Sequence, residues 1–138
     1  MKFRFWIPAF LILFTVLLAD KEVSFSQWQN DTIPSWNGVA SYYHSKFNGR
    51  KTSTGERFSN ALFTCANNFL ALGSYIRVTN LRNGKAVIVK VNDRMHPKNK
   101  RLVDLSQAAA RELGFYKEGL GQVCIEPVQF PEENIAVN

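Results

Sequence analysis

The chain has 138 residues and two cysteines, a length that fits one domain with a single small hydrophobic core. Lys and Arg outnumber Asp and Glu by 17 to 11, which gives a formal net charge of +6. This charge suits a polyanionic partner such as a bacterial wall, an anionic membrane surface or nucleic acid. The sequence has no internal repeat, no Gly-rich phosphate loop and no cluster of metal ligands, so we predict neither a cofactor nor a metal.

Residues 1–26 have the pattern of a secretory signal peptide. Two basic residues precede an apolar run of 15 residues, Phe5–Ala19, whereas a membrane span needs roughly 20. Ser24 and Ser26 resemble the small residues of a cleavage site, so we predict cleavage after Ser26. The alternative is an uncleaved membrane anchor. No cysteine near the run could carry a lipid. Export makes nucleic acid the poorest of the three partners, and no stable membrane span is expected after cleavage.

Residues 27–37 are interpreted as an N-terminal arm, residues 38–128 as the folded domain and residues 129–138 as a flexible tail. Within the domain, β-branched or alternating segments predict strands at 39–43, 75–79, 86–91, 102–103 and 119–128, and a strand or helical turn at 61–66. Asn83-Gly84 predicts a hairpin between two of these strands. Several short strands in about 90 residues indicate a small β-barrel.

One short helix is predicted between the last two strands. Ala108–Leu113 are strong helix formers, and Gly114 can end the helix in a left-handed conformation. Either Asp104 or Ser106 can cap its start, and Gln107 has capping-box spacing from Asp104.

Asp93 directly follows the strand at 86–91, where a basic loop begins. Side chains at strand ends are held by a rigid scaffold and often carry function. A carboxyl group held there can act as a general acid or base. The alternative is that Asp93 forms a structural ion pair with Arg94.

The two cysteines, Cys65 and Cys124, predict one disulfide, because an even count in a small exported domain favours pairing. The alternative is two buried free thiols. A Cys–His nucleophile is not favoured, since neither histidine lies in a cysteine-protease signature.

The sequence resembles the rare lipoprotein A family of septal-ring lytic transglycosylases. The resemblance covers roughly residues 38–128 and depends on seven phrases that occur in the family's order: Gly38–Tyr43, Asn48–Thr52, Thr54–Glu56, Arg77–Leu81, Asn83-Gly84, Val89–Arg94 and Arg101–Ala110. It implies a six-stranded double-psi β-barrel, the fold of expansins, with one or two short helices. It also implies export to the periplasm or the extracellular envelope and action on peptidoglycan glycan strands; we expect a monomer.

The resemblance also assigns the candidate site. It implies that Asp93 and Glu56 are catalytic, with Asp93 as acid and base. A His of the family's pattern is replaced by Asn67 here, which is expected to contact substrate together with the residues Arg94, Tyr43 and His96.

Three functions remain open on the sequence. The first is an endolytic peptidoglycan lytic transglycosylase that leaves 1,6-anhydromuramic ends. The second is a non-catalytic, expansin-like module that binds or loosens the wall; Asn67 favours it, since an amide cannot carry a proton near neutral pH. A secreted inhibitor or effector on a barrel scaffold is the third.

Overall fold

The computed structural model describes residues 32–129, in which six strands close into a barrel. The strands are β1 (Trp36–Tyr42), β2 (Thr64–Ala66), β3 (Tyr75–Asn80), β4 (Ala86–Asp93), β5 (Val103–Leu105) and β6 (Gly121–Val128). Their order around the barrel is β1-β5-β2-β4-β3-β6. A 3-10 turn at Ser45–Phe47 and the helix α1 (Gln107–Leu113) complete the secondary structure, which confirms the predicted six-stranded, mainly β fold. The predicted signal peptide, residues 27–31 of the predicted arm and residues 130–138 of the predicted tail lie outside the described residues, whereas Trp36 and Asn37 of the arm belong to β1.

The barrel combines two parallel strand pairs with antiparallel ones. β1 pairs with β5, and β2 with β4, in parallel, while the four other neighbouring pairs are antiparallel. Parallel partners cannot be joined by a tight turn, and here β2 is connected to β4 through β3, and β1 to β5 through β2, β3 and β4. The predicted hairpin joins β3 to β4. Its loop is longer than a two-residue turn, because Asn80 exchanges backbone hydrogen bonds with Lys85 and Gly84.

The core lies inside the barrel and is filled mainly by alternate residues of β3, β4, β5 and β6. These side chains have no exposed surface and are the residues Ile76, Val78, Val89, Val91, Val103, Leu105, Val123 and Ile125. Helix α1 adds Ala109, Ala110 and Leu113 to the same cluster. Strands of period two therefore supply one apolar face each, as the sequence predicts.

Helix α1 begins at Ser106, whose side-chain oxygen accepts a hydrogen bond from the Ala109 N–H. Asp104, the alternative cap, is instead a member of β5, so the predicted capping box with Gln107 is wrong. The helix ends at Gly114 with a φ of 81°, as predicted. A Cβ at Gly114 would also lie 2.9 Å from the Asn83 side chain. Both the positive φ and the limited space therefore favour glycine at this position.

The predicted disulfide between Cys65 and Cys124 is wrong, because both residues are free cysteines. Cys65 is fully buried on β2, whereas Cys124 is partly exposed on β6 between the core residues Val123 and Ile125. Neighbouring residues of a strand point to opposite faces, so Cys124 points away from the core. The two strands are also separated by two others around the ring in either direction.

Within residues 32–129, no helix is long and apolar enough to cross a bilayer.

Candidate active site

An open cleft of about 620 Å³ lies where the loops after β1 and β4 meet. Tyr43 and Lys46 belong to the first loop, and Arg94 and His96 to the second. Asp93 and Asp104 are the carboxylates among its lining residues. The cleft thus contains four of the predicted site residues, Asp93, Arg94, Tyr43 and His96.

Strand register explains why the two carboxylates share a cleft. Asp93 on β4 pairs with Ala66 on β2, Ala66 pairs with Asp104 on β5, and Asp104 pairs with Ser41 on β1. These residues therefore form one row across four neighbouring strands. Because neighbouring strands lie about 4.8 Å apart, the Cα atoms of Asp93 and Asp104 are separated by roughly 10 Å.

Asp93 is half-buried and its two oxygens have unequal surroundings. Oδ1 accepts three hydrogen bonds, from the Ser53 N–H at 3.1 Å, the Ser53 hydroxyl at 2.8 Å and the Arg94 N–H at 2.9 Å. Oδ2 accepts one, from the Tyr43 hydroxyl at 2.8 Å. A carboxylate oxygen has about two lone-pair sites, so Oδ2 is the oxygen with capacity to spare.

Tyr43 holds this second oxygen from the end of β1. Its ring lies 4.4 Å from the Phe58 ring between centroids and 5.6 Å from the Phe47 ring. Burial, followed by the hydrogen bond to Asp93, raises the pKa of the Tyr43 hydroxyl above its ordinary value. The phenol therefore stays protonated across the physiological range and remains a donor to Asp93.

Glu56, the other predicted catalytic residue, is not among the residues that line this cleft. Its carboxylate pairs with Lys90 at 2.9 Å and accepts a hydrogen bond from the Thr54 hydroxyl at 3.0 Å. The bonds from Lys90 and then Thr54 lower the pKa of Glu56. Glu56 therefore lies outside the cleft lining but next to Asn92, the residue before Asp93, whose side chain also lowers the pKa of Glu56.

Asn67 is fully buried, which corrects its assignment as a substrate-binding residue. Its amide donates to the Leu102 carbonyl at 3.0 Å, and its oxygen accepts from the backbone N–H groups of Phe69 and Leu70. A side chain without exposed surface cannot touch a glycan bound in the cleft. Asn67 instead fixes the loop that follows β2.

Arg94 contributes to the same loop. Its guanidinium donates to the carbonyls of Asn67 and Leu70, while only its backbone N–H reaches Asp93. The alternative of an Asp93–Arg94 side-chain ion pair is therefore wrong. His96 is exposed, and its Nδ1 accepts from the Lys98 N–H at 3.1 Å, which leaves Nε2 to carry the proton of the neutral ring.

Asp104 is the cleft residue whose position the sequence analysis missed. Its side chain is 14% exposed, and it accepts two hydrogen bonds from the Arg101 guanidinium at 2.7 and 3.0 Å. The Ser41 hydroxyl and the Asn99 amide donate two more. The available signal was its position between Val103 and Leu105, which alternates as a half-buried strand does.

No group of three or more His, Cys, Asp or Glu residues that could hold a metal ion occurs within residues 32–129. The chemistry of the cleft is that of oriented carboxylates, hydroxyl groups and cations.

A closed barrel of this topology, with an open cleft and a fixed carboxylate at a strand end, defines a double-psi β-barrel protein with a candidate acid–base site. The chain belongs to the lytic transglycolase family, whose model matches residues 35–125.

Curated relatives agree with this membership. The chain is 48% identical over 97 residues to the endolytic peptidoglycan transglycosylase RlpA of Pasteurella multocida, covering 70% of this chain and 33% of that protein. It is 53% identical over 89 residues to the protein of the same name from Haemophilus influenzae, covering 64% and 31%. The chain therefore spans about a third of the length of these relatives.

Solved structures share the fold. The apo expansin of Clavibacter michiganensis superposes with a TM-score of 0.58 at 24% identity, over 71% of this chain and 52% of that one. A point variant of that expansin in complex with cellohexaose gives a TM-score of 0.55 at 22% identity, with the same coverage. The Streptomyces papain inhibitor gives 0.57 at 20% identity, over 71% and 98%.

Proposed function

We propose that this domain is an endolytic peptidoglycan lytic transglycosylase. It cleaves the MurNAc–GlcNAc bond of glycan strands and leaves 1,6-anhydromuramic ends, in wall remodelling or daughter-cell separation. The observation that supports this proposal most directly is the environment of Asp93, which is half-buried and lines the open cleft. Its Oδ1 accepts three hydrogen bonds, whereas its Oδ2 accepts one, from Tyr43. The family membership and the names of relatives near 50% identity support the reaction.

The unequal oxygens of Asp93 suit one carboxyl that acts twice. In the first step Oδ2 gives a proton to the glycosidic oxygen as its bond to the muramic C1 breaks. In the second step the muramic C6 hydroxyl attacks C1, and Oδ2 takes its proton. One C–O bond forms for the one broken, no water is consumed, and Asp93 returns to its starting state.

Tyr43 and Ser53 act as positioning residues in this scheme. Ser53 and the Arg94 N–H fix the orientation of the carboxyl plane through Oδ1. The Tyr43 hydroxyl can donate to a carboxylate Oδ2 and accept from a protonated one, since a phenol does both. The proton is therefore directed to the oxygen that faces fewer donors.

The replacement Asp93→Asn is the direct test. The amide oxygen can keep the three donors of Oδ1, and the NH₂ group can face the Tyr43 oxygen, so the fold and glycan binding are expected to persist. Cleavage should fall by about 10²- to 10⁴-fold, the contribution of a positioned acid or base. The measurement is mass spectrometry of anhydromuramic ends released from purified, peptide-stripped glycan strands, alongside the melting temperature.

Glu126→Gln is the matched control, because it makes the same carboxylate-to-amide change on β6, outside the cleft lining. Its cleavage rate should equal that of the parent. Undiminished cleavage by a folded Asp93→Asn variant would contradict the assignment, as would a loss of activity only in step with lost stability.

A non-catalytic wall-binding module of expansin type is the second candidate. Two observations favour it: Glu56 is bound by Lys90 away from the cleft lining, and the buried Asn67 offers no proton. In that case the parent protein would bind the same strands and release no anhydromuramic product at any pH.

The proposed location is the bacterial envelope, after export and removal of residues 1–26. The apolar segment 5–19 and the peptidoglycan named for the relatives support it. N-terminal sequencing of the protein exported by its host should begin at Gln27. A mature chain that still contains Phe5–Ala19 would contradict this.

A further inference from the structure

Five exposed cations lie on the two loops that form the cleft, and none of them has an acidic partner within residues 32–129. The β1 loop carries Lys46, Arg50 and Lys51, which line the cleft itself. The β4 loop carries Lys98 and Lys100, which line an adjoining cavity of about 690 Å³. We call these the first and the second basic rim.

The rims are continuous with the site. The cavity beside the second rim shares His96, Asn99 and Arg101 with the cleft. A chain of sugars that passes Asp93 can therefore extend over either loop.

Position at the cleft separates these cations from other cations without an ion pair among the described residues, such as Lys85 and Lys117. Within residues 32–129, ion pairs join Arg82 to Glu118, Lys90 to Glu56 and Arg101 to Asp104, and none involves a rim residue. Of the two carboxylates in the cleft, Asp104 is paired with Arg101, and Asp93 accepts hydrogen bonds from four neutral donors, so neither forms an ion pair with a rim residue. The rims thus keep an uncompensated positive charge at the cleft.

We propose that the two basic rims bind carboxylate groups of the strand on either side of the cleavage point. This makes the domain selective for anionic over neutral glycans. The inference depends on the proposed function, since it assigns the substrate class of the same cleft. A neutral polysaccharide would gain nothing from five unpaired cations, whereas each carboxylate that reaches a rim forms an exposed ion pair.

Two sources can supply the carboxylate, namely the lactyl group of muramic acid and the stem peptide. Three ligands separate them: peptide-stripped strands, peptide-bearing strands, and peptide-stripped strands whose carboxyl groups have been converted to methylamides. Binding is measured by titration calorimetry in the Asp93→Asn background, so that the strands stay intact.

The rim variants are Lys46→Gln with Lys51→Gln, and Lys98→Gln with Lys100→Gln. Each pair should weaken binding of carboxylate-bearing strands about 2- to 30-fold, the range for two exposed ion pairs. Binding of the methylamide strands should be unchanged, and the difference should vanish near 1 M salt, where the Debye length is about 3 Å. Lys85→Gln with Lys117→Gln removes the same charge from exposed residues outside the cleft lining and should change nothing.

An effect on peptide-stripped strands identifies the lactyl carboxylate, and one confined to peptide-bearing strands identifies the stem peptide; both support the proposal. Unchanged binding in the rim variants overturns it, as does equal weakening for the methylamide strands. Anhydromuramic product is measured separately with Asp93 intact. Charge-selective binding without product would contradict the transglycosylase activity and support carboxylate binding by the rims. Product without charge selectivity would support the activity and contradict carboxylate binding by the rims.

Discussion

Asn67 shows at the scale of one residue how a polar side chain can have a structural task next to a functional site. Its oxygen accepts from the Phe69 and Leu70 N–H groups, its nitrogen donates to the Leu102 carbonyl, and its complete burial keeps the amide from contact with a ligand. The loop that it fixes also receives the Arg94 guanidinium, and Arg94 follows Asp93 directly. Asn67 therefore acts on the site through the backbone.

We expect Asn67→Ala to lower the free energy of unfolding by about 2–4 kcal/mol. The alanine leaves buried backbone groups without partners, at a cost of about 1–3 kcal/mol each, partly offset by local relaxation. The measurement is the midpoint of chemical denaturation. The exposed Asn37→Ala on β1 is the control and should lie within about 0.5 kcal/mol of the parent. A stable Asn67→Ala variant with altered glycan affinity would contradict the structural role.

Sequence reasoning found Asp93 and misjudged Asp104 for one physical reason. Asp93 follows an unmistakable β-branched strand, so its place at a strand end can be predicted locally. Asp104 lies on a strand of three residues, Val103–Leu105, just before a helix, where a cap is the ordinary interpretation. Only the pairing of β5 with β1 and β2 puts its side chain in line with Asp93.

At the scale of elements, helix α1 is fixed at both ends by side chains from elsewhere in the domain. Ser106 caps its start, and the Asn60 oxygen accepts from the Gln107 N–H. At its other end, the Asn80 and Asn83 amides donate to the Leu113 carbonyl. A helix of seven residues has little stability by itself, so these bonds and its buried face maintain it.

Ser106→Ala should reduce the free energy of unfolding by about 1 kcal/mol, because an N–H of the first helical turn loses its acceptor. The denaturation midpoint measures the change. Glu112→Gln, on the exposed side of the same helix, should have almost no effect. If Ser106→Ala is neutral, the Ser106 hydroxyl does not stabilise the helix start.

The accuracy of the predicted strand boundaries depends on the length of the alternating segment in the sequence. The long segments 86–91 and 119–128 overlap the strands β4 and β6 closely, since period-two alternation is visible over several residues. The segment 61–66 was open to two interpretations, and only its last three residues, Thr64–Ala66, form a strand. So short a strand is stable because β4 and β5 pair with it on both sides.

At the scale of the whole molecule, the described residues 32–129 form a closed barrel without a disulfide. Burial raises the pKa of the Cys65 thiol above its ordinary value, which disfavours the reactive thiolate. Cys124 is partly exposed on the outer face of β6. The fold therefore separates two thiols that differ in reactivity.

The intact mass of the oxidised protein should equal the dithiol value. In the native state iodoacetamide should modify Cys124 first, and Cys65 should react only after denaturation, without added reductant. A mass two hydrogens lower, together with no alkylation in denaturant, would show a disulfide after all. The Cys124→Ser variant is the control, and it should give a single alkylation in denaturant.

The sequence by itself determined the mainly β fold, the hairpin, the helix and the position of Asp93, because each depends on patterns within about ten neighbouring residues. It also indicated the family through phrases in a fixed order. Barrel closure decided the rest, since it brings residues far apart in sequence into register. This placed Asp104 in one row with Asp93, buried Asn67, paired Glu56 with Lys90 outside the cleft lining, and separated β2 from β6 by two strands, so that Cys65 does not meet Cys124.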